Sequence, residues 1–550
     1  MKSTSKRFKA LLGGLILCVC LFAASVQAAT FTVNSTVDAV DAFPGDGVCA
    51  TAGGVCTLRA AIQEANALAG ADVITVPAGT YSFAIAGANE DAAATGDLDI
   101  TADLTINGAG ATTTIIDGNG LDRIFDILGG TVTINDLTVR NGDGGSNGGG
   151  GIAVCDRTFA AQPTLHLNNS IVEANITGGR GGGIAVCENG HLVLNDSVVR
   201  NNIATSDGGG IEQHISPSTV TITNSTISGN RSNLAGGGVS SFSDLTITNS
   251  TISGNFGQGS SGGILHTSGT FTLTNSTVSG NRSEGGGGGL DLAASGGIAN
   301  LNNVTITNNT ADVDADGTEG IGLATAQGGG VHQRGSGTVN FKNTIIAGNV
   351  VTGNVDPPAP DCVGTLTSQG YNLIGDTTGC TIVGDTTGNI IGVAPLLAPL
   401  ALNAPGTTQT HALTGTSPAI DAGNPGTCEA TDQRGVSRPQ AAVCDIGAFE
   451  LAALSDSDGD GVPDNLDQCQ NSNLSATVVI GSCNSGVSNT LFSNGCSVSD
   501  LIAGCAVGAT NHGKFVSCVA HLTNDLKGAG TITGGQKGAI QSCAARASIP

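Results

Sequence analysis

Apolar and polar residues alternate over short stretches that recur along the middle of the chain. In "VTITNSTISGN", Val220 and Ile222 alternate with threonines, and nearly the same phrase returns from Leu245 and from Phe271. A period of two is typical of a β-strand. On this pattern we predict strands at Thr131–Asn135, Leu165–Asn168, Leu192–Asn195, Val220–Thr223, Leu245–Thr248, Phe271–Thr274, Asn300–Asn303 and Val339–Lys342.

A glycine run and a second aliphatic segment follow these strands, as in "GGGIAVC" from Gly149 and again from Gly181. A unit that repeats in this way buries its apolar face only against its neighbours, which is typical of a solenoid. The sequence therefore predicts an all-β fold, a parallel β-helix, whose coils stack about 4.8 Å apart. Equivalent residues then form columns, and the inward aliphatic column consists of Ile152, Ile184, Ile211, Val239, Ile264, Leu290 and Val331.

Asparagines recur at one turn of the repeat and are predicted to form a ladder, in which each side-chain amide bonds to the next. Asparagine also tolerates the left-handed backbone of tight turns. The "NST" triplets are interpreted as parts of such ladders, and glycosylation acceptors are the alternative. The predicted ladder consists of Asn230, Asn255, Asn281 and Asn349.

Residues 1–28 have a basic start, an apolar run and a small-residue end at Ala28, which is the pattern of a secretory signal peptide. A membrane anchor is the alternative. No later apolar run approaches the ~20 residues that a membrane span needs, so we predict no span in the mature chain. The formal charge of -24 argues against nucleic acid as a partner and suits divalent cations.

Cysteine usage also favours export. The chain has 16 cysteines, and Cys18 and Cys20 lie in the signal segment, so an even number remains. Cys155 and Cys187 occupy equivalent places in adjacent coils, about 5 Å apart and within disulfide range; two free thiols are the alternative. The other candidates are Cys49 with Cys56, and then Cys362, Cys380, Cys428, Cys444, Cys469, Cys483, Cys496, Cys505, Cys518 and Cys543.

The flanks of the repeat region lack its pattern. Residues 29–90 are predicted to form an N-terminal cap with a short amphipathic helix, because Leu58, Ala61, Ile62 and Ala65 share one helical face. Such a cap protects an open sheet edge. Residues 91–360 are assigned to the β-helix itself, and residues 361–451, where the repeat is lost, are expected to close it.

Residues 452–470 contain "DSDGDGVPDNLDQC", in which carboxylates recur around a glycine turn. Hard oxygen ligands in this arrangement indicate a calcium site, and an acidic linker is the alternative. The motif resembles a thrombospondin type 3 repeat, which implies Asp456, Asp458, Asp460 and Asp467 as the side-chain ligands. The full set of predicted metal residues is Asp456, Asp458, Asp460, Val462 through its carbonyl, Asp464 and Asp467.

Residues 471–550 are predicted to form a small helical module held by disulfides. "HGKFVSCVAHLTNDLK" places Phe515, Val519, Leu522 and Leu526 on one helical face, and "SVSDLIAGCA" and "GGQKGAIQSCAARA" indicate further helices. With Cys469 the module has six cysteines, and the sequence does not choose among their pairings. A surface anchor or a contact with another envelope component is the expected role.

Several longer phrases resemble known families. "CTLRAAIQEAN" is similar to the CSLREA-type N-terminal motif of exported bacterial β-helix proteins, with departures at Thr57 and Ala60. "NLIGDTTGC", "GTSPAIDAGN" and "DQRGVSRPQAAVCDIGAFE" resemble the choice-of-anchor family of bacterial surface proteins. The glycine and asparagine motifs are more loosely similar to those of polymorphic outer-membrane proteins. The resemblance implies a right-handed parallel β-helix at a bacterial surface, without a general catalytic activity.

We therefore expect a secreted or cell-surface protein that acts by adhesion or display. Its expected partners are calcium and an envelope component, a host surface or a polysaccharide. The alternative is a polysaccharide lyase or hydrolase, because such enzymes use this scaffold. Under that alternative the acidic insertion at 310–327, with Asp312, Asp314, Asp316 and Glu319, is the expected site.

No catalytic residue is assigned from the sequence. Glu212 and Asp291 occupy the outward column three coils apart, about 14 Å by strand spacing, which is too far for a hydrolytic pair. The outward column consists of Ala153, Ala185, Glu212, Ser240, Leu265, Asp291 and His332. The nearby residues do not all lie in one common column and are interpreted as solvated or ladder residues; they are His214, His266, His332 and Arg334.

Overall fold

The computed structural model describes residues 28–549, apart from residues 89, 157–160, 215–216, 294–295, 315–326, 353–356, 453–455, 463 and 465–466. Over these residues the chain forms a parallel β-helix followed by a helical module with disulfides, as the sequence predicts. The predicted signal peptide at 1–28 lies outside the described residues except for Ala28.

Strands of mostly five residues stack along one face of the β-helix, called here the long-strand face. They pair in parallel and in register, so that Val220 lies beside Leu245, which lies beside Phe271. All three side chains are buried, because every second residue points into the solenoid. The strands are Thr30–Thr32, Asp72–Val76, Leu104–Gly108, Thr131–Asn135, Thr164–Asn168, His191–Asn195, Thr219–Thr223, Asp244–Thr248, Thr270–Thr274, Ile298–Asn302, Thr338–Lys342, Cys362–Gln369 and Cys380–Asp385.

The aliphatic segments after the glycine runs form a second face, called here the glycine-run face. Ile184 pairs with Ile152 on one side and with Ile211 on the other. The predicted inward column is fully buried from Ile152 to Val331, which confirms that prediction. The strands are Leu98–Ile100, Phe125–Ile127, Ile152–Val154, Ile184–Val186, Ile211–Gln213, Val239–Ser241, Ile264–His266, Leu290–Leu292 and Val331–Gln333.

Shorter strands complete each coil. The third face comprises Gly79–Ser82, Thr114–Asp117, Thr138–Arg140, Ile171–Glu173, Val198–Arg200, Thr226–Ser228, Thr251–Ser253, Thr277–Ser279, Thr305–Thr307, Ile345–Ile346, Leu373–Ile374 and Ile390–Ile391. A ribbon of two-residue strands follows it, with Ile176–Thr177, Ile203–Ala204, Arg231–Ser232, Phe256–Gly257, Arg282–Ser283, Thr310–Ala311 and Val350–Val351.

The asparagine ladder lies inside the solenoid, between the third face and the ribbon. The amide nitrogen of Asn281 donates to Asn309 Oδ1 and to the carbonyl of Ile252, both at 2.9 Å. The prediction was wrong about the backbone, because the left-handed residues belong to other columns. Gly229 takes φ +64° just before the rung at Asn230. The ladder comprises Asn175, Asn202, Asn230, Asn255, Asn281, Asn309 and Asn349, and a separate left-handed column comprises Asn224, Asn249 and Asn275.

The N-terminal cap contains the predicted helix, which spans Leu58–Ala67. The hydroxyl of Thr57 accepts a hydrogen bond from the amide of Ala60, as an N-cap residue should. The apolar face that the spacing predicts is buried against the first coils. Arg59 is also almost fully buried, and its guanidinium pairs with Asp38 at 2.6 Å. The helix therefore covers the open end of the β-helix with both apolar and paired polar groups.

Residues 361–451 do more than close the β-helix. The chain continues the coils as far as Ile390–Ile391. Residues 393–450, called here the return segment, then lie along the third face of earlier coils. The hydroxyl of Thr251 donates to the carbonyl of Gln409 at 2.6 Å, and the amide of Ala448 donates to Thr305 Oγ1 at 3.0 Å. The sequence did not predict this contact, because it joins residues more than a hundred positions apart.

Residues 451–550 form a second compact unit. The predicted helices span Val498–Val507, His512–Gly528 and Gly534–Arg546, and Phe515 and Val519 are fully buried. An antiparallel hairpin of Thr477–Ile480 and Cys483–Ser488 precedes them and was missed, because its polar second strand shows little alternation. No helix in the described part of the chain is long and apolar enough to span a membrane.

Every cysteine that the structure describes is paired. In the β-helix and its flanks the disulfides are Cys49–Cys56, Cys155–Cys187, Cys362–Cys380 and Cys428–Cys444. In the second unit they are Cys469–Cys496, Cys483–Cys543 and Cys505–Cys518. The pairs Cys49–Cys56 and Cys155–Cys187 are those that the sequence predicts, and the structure selects one arrangement for the six cysteines of the second unit, whose pairing the sequence left open.

Candidate functional site

The outward column of the glycine-run face is covered, although the sequence suggested an exposed surface. Glu212, Ser240 and Asp291 are each at most 3% exposed. The cause is the glycine run, which folds back over the strand that follows it. Gly208 has φ +69°, and a Cβ atom there would lie 2.6 Å from the Cβ of Glu212. Only glycine permits this approach, so the runs bury the column that they precede.

A cleft remains where the cover is incomplete, and we call it the Arg180 cleft. Its volume is about 390 Å³, which is within the usual range for ligand sites. The lining includes the glycine-rich backbone of two coils and the side chains of Ser146, Arg180, Ser206, Glu212 and His214. The cleft is therefore polar, with one cation and one carboxyl group facing the same space.

Arg180 is the half-exposed cation of this cleft. Its guanidinium lies 3.6 Å from a carboxylate oxygen of Asp207 and 3.8 Å from one of Glu212. Both distances exceed the about 2.7–2.9 Å of a charge-assisted hydrogen bond. The guanidinium also lies over the ring of Phe242, 5.9 Å from its centroid. Arg180 is thus held by charge and by an aromatic ring, while its N–H groups can still donate to a ligand.

The two acids beside Arg180 are hard to ionise. Burial raises the pKa of Glu212 to about 8; Arg180 lowers it and Asp207 raises it further. Burial also raises the pKa of Asp207, against the charge of Arg180. Near neutral pH, Glu212 therefore retains its proton and does not cancel the charge of Arg180.

Sequence reasoning missed Asp207. The sequence pattern relates residues of one column, and on that basis Glu212 was considered together with Asp291. In the structure Asp291 pairs with Arg334 instead, whose Nε donates to it at 3.0 Å. Asp207 comes just before the glycine run that turns back over Glu212. The phrase "SDGGGIEQH" could have indicated that an acid on either side of such a run meets across it.

Two of the histidines interpreted as solvated or ladder residues are buried. His266 is 1% exposed, and burial lowers its pKa to about 4, so the ring is neutral. His332 is 6% exposed and stands beside Asp291 in the outward column. Neither lines the Arg180 cleft, whereas His214 does. The solvated interpretation was therefore wrong for His266 and His332.

The Asp-rich loop brings part of the predicted calcium set together. Carboxylate oxygens of Asp456, Asp458 and Asp460 lie within 4.8 Å of one another. Asp456 accepts hydrogen bonds from the amides of Gly459 and Gly461, and these amides hold its pKa below the usual range. Asp460 Oδ2 is shielded from solvent and has no hydrogen-bond partner within the described residues.

The other predicted ligands are placed differently. The carboxylate of Asp464 accepts hydrogen bonds from the amide and the hydroxyl of Ser457, both at 2.8 Å. Asp467 and Asp460 both lie close to Gly495, where a Cβ atom would meet an oxygen of each. The amide of Val462 donates to Asp460 Oδ1 at 2.7 Å. The converging group is thus Asp456, Asp458 and Asp460, with Asp467 near Asp460.

The acidic insertion lies mostly outside the described residues. Asp312 is fully buried at the end of the two-residue strand Thr310–Ala311. Asp316 and Glu319, two of the acids proposed there, fall within residues 315–326, which are not described.

Comparison with known proteins supports the fold. Residues 165–351 match the family described as "Right handed beta helix region", which agrees with the predicted handedness. No curated protein matches the chain. Pectate lyase Pel9A is similar at 12% identity with a TM-score of 0.37, over 78% of this chain and 97% of that chain.

A second solved structure is a mannuronic acid specific polysaccharide family 6 lyase from human gut microbiota. It is similar at 12% identity with a TM-score of 0.24, over 58% of this chain and 86% of that chain. At these values neither likeness carries an argument about this chain, so a function has to be argued from its own site.

Proposed function

We propose that this chain is an exported protein that binds an anionic polysaccharide at the Arg180 cleft. The observation that carries the proposal is a half-exposed guanidinium in a polar cleft, held near two acids without a close hydrogen bond to either. Binding of this kind is one way in which the protein would perform the expected adhesion or display role. An envelope polysaccharide or a host-surface polysaccharide would have the same chemistry.

The ligand group that fits the cleft is the carboxylate of a uronic acid unit. Guanidinium binds carboxylate through two parallel N–H donors. Glu212 is protonated near neutral pH, since its pKa is about 8, and can donate a further hydrogen bond to a sugar oxygen.

Arg180→Ala removes the cation and its donors, so we expect the affinity for polygalacturonate or alginate to fall at least tenfold in titration calorimetry. A neutral glucan should bind neither variant. Arg231→Ala is the matched control, because that guanidinium also lies over an aromatic ring, Phe256, at 4.8 Å but does not line the cleft. Equal affinities of the Arg180 and Arg231 variants would contradict the proposal.

The pH dependence offers an independent test of the same site. As the pH rises through about 8, Glu212 ionises beside Arg180 and opposes an anionic ligand. Binding should therefore weaken over pH 7 to 9 in the wild-type chain, and Glu212→Gln should remove that dependence. A pH profile that is identical in both chains would place the ligand elsewhere.

Hydrolysis of the bound polysaccharide is the second candidate function. Glu212 and Asp207 both lie within 4 Å of the same guanidinium, and a protonated acid near a second carboxylate is the arrangement that glycoside hydrolysis uses. We would measure new reducing ends after long incubation with polyuronates. Release that is lost in Glu212→Gln and kept in Arg231→Ala would support catalysis, and no release would leave binding alone.

Calcium binding by the Asp-rich loop is the third element of the proposal. The ligand atoms would be carboxylate oxygens, which calcium prefers. Asp460 Oδ2 is buried and has no hydrogen-bond partner within the described residues, as expected of an atom that coordinates an ion. Asp456, Asp458 and Asp460 would hold the ion, and Asp467 lies beside Gly495 on the side of the group where Asp460 lies. The ion would offset the mutual repulsion of the three carboxylates.

Asp458→Asn tests this loop, because it removes charge from the converging group but leaves the Asp464–Ser457 contact in place. We expect calcium titration to show weaker binding in this variant than in Asp464→Asn. If both variants bind calcium as tightly as the wild-type chain does, the loop is an acidic linker.

Export is proposed from two features taken together: the signal-like residues 1–28 and the pairing of every described cysteine. Disulfides persist in oxidising compartments. Expression of the full-length chain in a bacterial host, followed by fractionation, should recover the protein outside the cytoplasm with the N-terminal segment removed. Recovery of an uncleaved chain in the membrane fraction would instead support the anchor alternative.

A further inference from the structure

A second group of aspartates lies at the opposite end of the sequence, where the N-terminal cap meets the first coils. Asp99 and Asp126 occupy the outward column on neighbouring strands and pair in register. Asp97 precedes Asp99 by two residues and therefore points to the same side of the chain. One carboxylate oxygen from each of the three lies within 4.8 Å of the others.

This group is inside the protein. Asp97, Asp99 and Asp126 are 5%, 0% and 1% exposed. Asp99 Oδ2 accepts a hydrogen bond from the amide of Ala93 at 2.8 Å. Its other oxygen, Oδ1, is buried and has no hydrogen-bond partner within the described residues. A buried carboxylate oxygen in that position is costly unless a cation or a proton satisfies it.

The protein supplies too little positive charge for three carboxylates. Arg123 is the nearby cation, with its guanidinium 2.8 Å from Asp97 and 3.8 Å from Asp126. Arg59 is also near, but it pairs with Asp38 and donates to backbone carbonyls, including that of Asp97. Burial and the charges of Asp97 and Asp126 raise the pKa of Asp99 to about 8.

Neighbouring side chains take up the backbone oxygens around the group. Asn66 donates to the carbonyl of Asp99 at 2.7 Å, and Arg59 donates to those of Gly96 and Asp97. The carboxylates are therefore the oxygens that face one another. Calcium binds oxygens at 2.3–2.6 Å, so two ligand atoms of one ion are at most about 5 Å apart, which the group satisfies.

We propose that Asp97, Asp99 and Asp126 hold a divalent cation, with calcium as the best fit to an all-oxygen group. The ion would coordinate Asp99 Oδ1 and offset the negative charge of the carboxylates that Arg123 does not neutralise. Because Asp97 and Asp99 belong to the first coil and Asp126 to the next, the ion ties the capped end of the β-helix together. The site is separate from the Asp-rich loop and independent of sugar binding.

The alternative explanation is that Asp99 stays protonated and binds no ion. The two explanations predict different effects of the substitution Asp99→Asn. Asparagine keeps the shape and can replace a protonated acid, but it weakens a cation site. The test uses the full chain with Asp456→Asn and Asp458→Asn as the background, so that the Asp-rich loop contributes little. Calcium retained after equilibrium dialysis is counted by elemental analysis, and unfolding of the β-helix is followed with calcium and with chelator.

We expect the background chain to retain about one calcium ion and to unfold several degrees higher with calcium than with chelator. Adding Asp99→Asn should abolish both effects. If that variant does not fold, Asp126→Asn serves in its place. The proposal is overturned if the background chain retains no calcium and ignores the chelator, or if Asp99→Asn retains as much calcium as the background does.

Discussion

The β-helix and the C-terminal unit are stabilised in different ways. In the β-helix each coil repeats the contacts of the previous one, so that Asn281 bonds to Asn255 on one side and to Asn309 on the other. The C-terminal unit has no such repetition and instead has three disulfides within about 80 residues. A small unit buries a smaller fraction of the surface that its unfolded chain exposes. We therefore expect the covalent links to contribute more to stability in the C-terminal unit than in the β-helix.

Removing one disulfide from each region should show the largest contrast. Cys483–Cys543 closes 60 residues of the C-terminal unit, and its loss costs about 4 kcal/mol on the chain-entropy estimate. We expect Cys483→Ser with Cys543→Ser to lose the cooperative unfolding of the helices, as followed by circular dichroism. The matched change, Cys155→Ser with Cys187→Ser, should leave the β-helix folded. Unfolding of the β-helix in the matched variant would contradict the contrast.

Breaking one rung of the ladder should have the next largest effect. In Asn281→Ala, the carbonyl of Ile252 loses the hydrogen bond from Asn281, and the backbone amide and side-chain amide of Asn255 lose their shared acceptor, Asn281 Oδ1, inside the solenoid. Each unsatisfied buried group costs about 1–3 kcal/mol. We expect a clear fall in the denaturant midpoint of the β-helix, with the C-terminal unit unaffected. The control is Thr246→Ala, an exposed residue on the long-strand face, which should change little.

The buried acid of the cleft should have a smaller, pH-dependent effect. The unfolded chain ionises Glu212 near its ordinary pKa of 4.5, whereas the folded chain retains the proton until about pH 8. Stability from this group is thus complete below 4.5 and is lost as the pH rises to about 8. The wild-type chain should therefore lose stability relative to Glu212→Gln as the pH rises across that range. A constant difference between the two chains would show that Glu212 is not buried in solution.

The sequence predicted the coils well, because stacking forces equivalent residues into columns. Once Ile184 aligned with Ile211, the pairing of their strands followed. Residues outside the repeat were harder, since their partners are distant in the chain. Nothing in the spacing indicated that Gln433 would meet Thr277, or that Asp99 would meet Asp126 beneath a cap.

The candidate sites divide in the same way. The Asp-rich loop is local, so its three converging carboxylates could be predicted from one phrase. Glu212 was identified as an outward acid, but its burial and its neighbour Asp207 depend on the glycine run folding back. That fold-back follows from the left-handed backbone at Gly208, which the identity of a glycine permits but does not specify.

The return segment has a consequence for how this protein can change in length. Its contacts reach successive coils at fixed intervals, among them those of Thr251, Thr277 and Thr305. Duplicating a coil before Thr251 would lengthen the solenoid and leave these intervals intact. Duplicating one between Thr251 and Thr305 would move the contact points apart by one strand spacing, about 4.8 Å, and the segment could no longer meet all three. The return segment thus fixes the number of coils between Thr251 and Thr305, whereas coils before Thr251 can be gained or lost without disturbing its contacts.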